Sequence, residues 1–106
     1  MIVRIWRATA TAEGADKYRQ HFEHNVMPEL NSIKGFRKAY LLNRPHDTIV
    51  DIEVHTLWES LEVVRTFARP DMDAAVVEPQ AQAVLTSYDR AVTHFAALEY
   101  TTQSHH

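Results

Sequence analysis

The chain predicts an α+β fold of the ferredoxin-like type, ordered β-α-β-β-α-β, with a four-stranded sheet and helices on one face. Two patterns carry this reading. Thr48 to Trp58 alternates with period two over its whole length, the signature of a strand. Ala15, Tyr18, Phe22 and Val26 recur at the spacing of one helix face. The length of 106 residues sets the count at one domain, placed over residues 1–100 with a polar tail at 101–106.

The elements follow in order. Ile2 to Ala8 reads as the first strand. Thr11 is a candidate N-cap for the helix behind it. Pro28 interrupts or ends that helix, because it lacks an N–H and disfavours helical backbone at Met27. Gly35 supplies a turn into the second strand, Phe36 to Arg44. Pro45-His46-Asp47 is the turn into the third strand, Thr48 to Trp58. There Val50, Ile52, Val54, Thr56 and Trp58 form one face, and Asp51, Glu53, His55 and Leu57 the other. Ser60 caps a second helix whose apolar face is Leu61, Val64, Phe67 and Ala68. Arg69-Pro70-Asp71 breaks it. Met72 to Val77 and Pro79 to Leu85 read as two more helical pieces, with Pro79 at a tolerated first-turn position. Tyr88 to Tyr100 is the fourth strand.

Composition narrows the functional classes. Net charge is −3 and the basic residues do not cluster, which argues against nucleic acid and anionic membrane as partners. With no run of 18 apolar residues and no signal-peptide pattern, a soluble cytoplasmic protein is expected. Zero Cys excludes disulfides, Cys–zinc sites and a Cys nucleophile. Gly14 and Gly35 are the whole glycine complement, so phosphate-cradling loops are absent and no nucleotide or flavin cofactor is expected. His105 and His106 are set aside as a polar tail or the stub of a purification tag.

Helices cover one face of such a sheet and leave the other open. If the even positions of the first strand point outward, Ile2, Arg4 and Trp6 join Asp51, Glu53, His55 and Leu57 there. A semi-apolar open face of this kind suits a second copy of the chain, giving a homodimer; the alternative is a solvated face with one exposed Trp.

Three stretches, MIVRIWRATATAEGADKY, PELNSIKGFRKAYLL and above all LWESLEVVRTFA, resemble the antibiotic biosynthesis monooxygenase (ABM) domains. The resemblance covers Met1 to Tyr100, and its most specific part is the Trp-Glu-Ser step from strand to helix. It implies a ferredoxin-like unit that pairs sheet to sheet as a dimeric α/β barrel. It also implies several chemistries. One branch oxidises phenols to quinones with dioxygen and neither metal nor flavin. That branch places an Asn four residues before the junction Trp, where this chain has Val54. A haem-degrading branch places an Asn, a Trp and an axial His at positions corresponding to Arg7, Phe67 and Val77. All three differ here, so the resemblance supplies no axial ligand.

The candidate catalytic residues are His94, Arg7 and Trp58. His94 sits in an apolar strand and is the best general base in the chain; a core or interface histidine is the plainer reading. Arg7 alternates with Val3 and Ile5 and so is expected toward the helices, to hold a phenolate or to pair with a helix carboxylate. Trp58 either donates its indole N–H to a substrate oxygen or fills the wedge between sheet and helix. Tyr18, Phe22, Tyr40, Val54, Val64 and Phe67 are candidate pocket-lining residues, or simply core. His55 is read as interface or barrel interior. His21 and His24 lie three apart on one helix but have no third ligand, so no metal is expected. The leading function is cofactor-independent oxygenation of a small phenolic or quinone-like molecule. A ligand-binding or regulatory dimer and a cofactor-free isomerase or lyase are the alternatives.

Overall fold

The computed structural model describes residues 1–68 and 71–102. Its strands are β1 (Ile2–Ala10), β2 (Phe36–His46), β3 (Ile49–Trp58), β4 (Ser87–Tyr88) and β5 (Thr93–Ala96). Its helices are α1 (Ala12–His21), α2 (Met27–Asn31), α3 (Leu61–Phe67) and α4 (Pro79–Gln82). The sheet is antiparallel in the order β2-β3-β1-β4, with β5 also pairing β1. This is the expected ferredoxin-like α+β arrangement.

The local signals explain most of these elements. Thr11 caps α1, its Oγ1 accepting from the Gly14 N–H at 3.0 Å. Ser60 caps α3 by accepting from the Val63 N–H. Pro28 does not end the first helix. Between α1 and α2 the chain makes a wide π turn, Phe22–Val26, where the Met27 N–H reaches back to the Phe22 carbonyl. The helix axis therefore continues past the proline. Gly35 turns the chain at φ +100° and accepts from the Glu59 N–H; a Cβ there would sit 2.7 Å from Val63.

Four expectations need correction. The hairpin turn falls at Asp47, φ 52°, so Pro45 and His46 belong to β2. Met72 to Val77 is not helical; it runs irregularly across the β1–β5 edge, with a bridge between Ala74 and Ala91. The expected fourth strand is two short strands, split where Asp89 and Arg90 interrupt its apolar pattern. Leu61 is about one-third exposed and stands outside the core, so α3 packs Val64 and Phe67 inward without it, with Ala68 buried at its C-cap. The break predicted at Arg69-Pro70 lies outside the described residues.

The faces of two strands are also reversed. Trp6 stands opposite Val54, and Ala8 opposite Ile52, so the even positions of β1 face the helices. Arg4, Trp6, Ala8 and Ala10 are buried there, while Val3, Ile5 and Arg7 lie on the open face. In β2 a bulge at Arg37 shifts the alternation by one. Phe36 packs against Trp58, whereas Tyr40 falls opposite His55 on the open face and is 51% exposed.

The core lies between the sheet and the helices. Trp58, Leu30, Ile52 and Val64 are its largest fully buried side chains. Among the described residues no helix is long and apolar enough to cross a membrane.

Candidate active site

A cleft opens beside this core, between the helix-side face of the sheet and α1. The space within it open to the centre of a water-sized sphere is about 60 Å³. Arg4, Trp6, Val54 and Thr56 form its floor from β1 and β3. Tyr18, His21, Phe22 and Val26 form one wall, and Phe67 closes an end. Val76, Val77, Glu78 and Ala81 form the opposite wall. Aromatic stacking orders the lining: Trp6 to Tyr18 is 5.6 Å between ring centroids, and Tyr18 to Phe22 is 6.2 Å. Mostly apolar walls with a few inward polar groups are the usual build of a small-molecule site.

Arg4 is the buried cation of this cleft. It is 4% exposed and lies over the Phe67 ring at 5.7 Å. Its guanidinium donates to the Met72 carbonyl at 2.6 Å and to the Ala74 carbonyl at 2.7 Å. Burial lowers its pKa to about 10, with Asp73 acting in the opposite direction. Arg4 therefore stays charged at neutral pH.

His94 stands behind Arg4 rather than in the cleft lining. Its Nε2 lies 3.1 Å from the Arg4 guanidinium, and its Nδ1 lies 3.7 Å from Asp73. Arg4 has only protons to offer, so Nε2 accepts and the ring proton sits on Nδ1. Burial, and then the Arg4 charge, hold the imidazole below its ordinary pKa. The lone pair that a general base would use is thus engaged by Arg4.

Two other expected residues also lie elsewhere. Arg7 points to the open face and pairs with Glu53 at 3.3 Å, because β1 presents its other edge to the helices. Trp58 is fully buried, between Phe36 at 5.2 Å and Phe67 at 5.5 Å. Its indole N–H donates to Thr56 Oγ1 at 2.9 Å. Of the expected lining residues, Tyr18, Phe22, Val54 and Phe67 reach the cleft; Val64 is pure core and Tyr40 is on the far side of the sheet.

Sequence reasoning missed Arg4, Glu78 and the inward role of His21. The signal for Arg4 was its even spacing with Trp6, Ala8 and Ala10, a face as apolar as the odd one. Tyr18 is buried, and its phenol pKa is raised by that burial and then by the Glu78 charge. Tyr18 is therefore a neutral donor in the cleft. Among the described residues no cluster of three or more acidic or His side chains could hold a metal.

No protein-family model and no curated protein matches the chain. Solved structures do match it in fold. A protein assigned as an antibiotic biosynthesis monooxygenase from Bacillus cereus superposes with a TM-score of 0.67 at 16% identity, covering 97% of this chain and 98% of that one. The chain has the fold of these ABM proteins. SnoaB, a cofactor-independent oxygenase from Streptomyces nogalater, gives a TM-score of 0.60 at 14% identity over 96% of this chain and 98% of its own. The ActVA-Orf6 monooxygenase of Streptomyces coelicolor, solved with nanaomycin D, gives 0.63 at 15% identity over 97% and 92%. MhuD, solved with manganese protoporphyrin IX, gives 0.66 at 20% over 97% and 100%. The haem reading does not gain from this last likeness. The position expected for an axial His is Val77, an apolar residue in the cleft wall.

Proposed function

We propose that this protein is a cofactor-independent monooxygenase acting on a small phenolic or quinone-like molecule held in the cleft. The observation that carries the reading is the buried Arg4 cation set into a mostly apolar, aromatic-walled cleft. A cation in a dry site favours the phenolate over the phenol and so raises the electron density that dioxygen must meet. Glu78, the carboxylate in the lining, is the proposed acceptor of the phenol proton. The phenolate then reduces dioxygen. One oxygen atom bonds to a ring carbon, that carbon's hydrogen is lost, and the second oxygen leaves as water with a quinone as product. His94 serves this chemistry through Arg4, by fixing the guanidinium. The fold likeness to SnoaB and ActVA-Orf6 supports the same class of reaction.

The protein further acts as a homodimer through its open sheet face. Tyr40, Leu42 and Phe95 are about half exposed there, beside the buried Leu57. Apolar side chains gathered on one face favour a partner surface over solvent.

Oxygen uptake with a panel of phenols and hydroquinones tests the function. Wild type is expected to consume oxygen, with Glu78→Gln slower by about 10²-fold, as for loss of a positioned base. Equal rates in both would remove Glu78 from the chemistry. Binding without oxygen uptake under any substrate would favour the second reading, a ligand-binding module. That reading draws on the indole N–H groups of Trp6 and Trp58, both spent on protein acceptors.

A further inference from the structure

Two polar atoms in the cleft have no protein partner among the described residues, although their side chains are more than nine-tenths buried. They are Tyr18 Oη and His21 Nε2. Tyr18 is 5% exposed and His21 8%, and no fully buried side-chain polar atom is left unsatisfied among the described residues. Each atom therefore keeps some accessible surface, and both residues line the cleft. They come from successive turns of α1, with ring centroids 6.2 Å apart.

The neighbours fix where each donor hydrogen sits. Burial and the Glu78 charge keep the Tyr18 phenol protonated. The Asn25 amide nitrogen lies 2.9 Å from His21 Nδ1 and donates to it. With Nδ1 accepting, the ring N–H is on Nε2. Asn25 reaches His21 from inside the π turn that begins at Phe22. Such turns often occur at functional sites.

We propose that Tyr18 and His21 form a two-donor grip for one carbonyl or phenolate oxygen of an aromatic ligand. Two donors lining one cleft select an oxygen acceptor and reject the hydrocarbon of the same shape, since an apolar edge would leave both buried donors unpaired. The ligand class is thus narrowed to flat quinone-type rings with an acceptor oxygen pointing toward α1. This rests on the cleft being the binding site proposed above.

Equilibrium dialysis of 1,4-naphthoquinone and of naphthalene separates the two claims. The chains are wild type, Tyr18→Phe, His21→Phe and Val77→Trp, each checked for native circular dichroism. Each of the first two variants is expected to weaken naphthoquinone about tenfold, the value of one hydrogen bond, and to leave naphthalene unchanged. Val77→Trp is expected to weaken both probes by filling the cleft. If Tyr18→Phe and His21→Phe shift both probes alike, or leave naphthoquinone unmoved, the grip is overturned while the cleft stands. Wild type that binds naphthalene but not naphthoquinone likewise overturns the grip alone. Probes indifferent to Val77→Trp, or failing to bind wild type, overturn the cleft reading and the grip together.

Discussion

Trp58 shows how one side chain can mark a site without entering it. It is wedged between Phe36 and Phe67, and its N–H is consumed by Thr56. Trp58→Phe is predicted to cost about 1–3 kcal/mol of stability, the range for leaving a core void and a freed hydroxyl. Ligand affinity should stay near wild type; a large loss of affinity at unchanged Tm would put the indole in the cleft after all. His94 allows a second prediction. Its folded pKa lies below its unfolded value, so its stabilising contribution is complete above about pH 6.5 and is lost as pH falls through the depressed folded value. His94→Gln keeps an acceptor for Arg4 but cannot titrate. The Tm gap between wild type and His94→Gln should narrow between pH 7 and pH 5, measured by thermal melts. A gap independent of pH would mean that protonating His94 does not disturb Arg4.

At the scale of elements, what could be read in the sequence depended on contrast between faces. β3 was legible because only one of its faces is apolar. β1 was not: it carries Val3 and Ile5 on one side, Trp6 and Ala8 on the other, and an arginine on each. Period two then defines two faces without saying which is inward, and only the pairing of Trp6 with Val54 decides it. That choice replaced Arg7 by Arg4 and with it the charged group of the site. Tyr40 moved for a similar reason, since one extra residue at Arg37 inverts everything after it. The helix α1 was legible from its periodicity, and its tight seating adds a prediction. A Cβ on Gly14 would lie 2.3 Å from the Val84 carbonyl, so backbone must move to admit one. Gly14→Ala is predicted to destabilise by about 1–3 kcal/mol despite its better helix propensity. Urea melts check this, and a stabilised variant would show that the loop at Val84 yields freely.

For the whole molecule, the layered architecture was foreseeable and its irregular edge was not. Residues 72 to 77 carry helix-like spacing in sequence, yet they are fixed by long-range main-chain bonds that no local pattern announces. The open face offers the test at this scale. Arg7, Glu53 and His55 form a polar cluster in its middle, with Tyr40 and Leu42 beside it. Leu42→Glu is predicted to shift the protein from dimer to monomer in sedimentation velocity, because an added carboxylate beside Glu53 cannot be buried unpaired. A wild type that sediments as a monomer at high concentration would remove the dimer.

The clamp made by Arg4 has a consequence for change over time. It holds the outer wall by the carbonyls of Met72 and Ala74, while Ala75 N–H bonds the Arg90 carbonyl and Val92 N–H bonds the Asp73 carbonyl. Every one of these contacts to the wall uses main chain, which all residues except proline's nitrogen can supply. The half-exposed side chain of Val76 is therefore free to be exchanged without loosening the main-chain support of the wall. Such a wall can drift toward new ligands, in nature or in a directed library, while the floor beneath it keeps its shape.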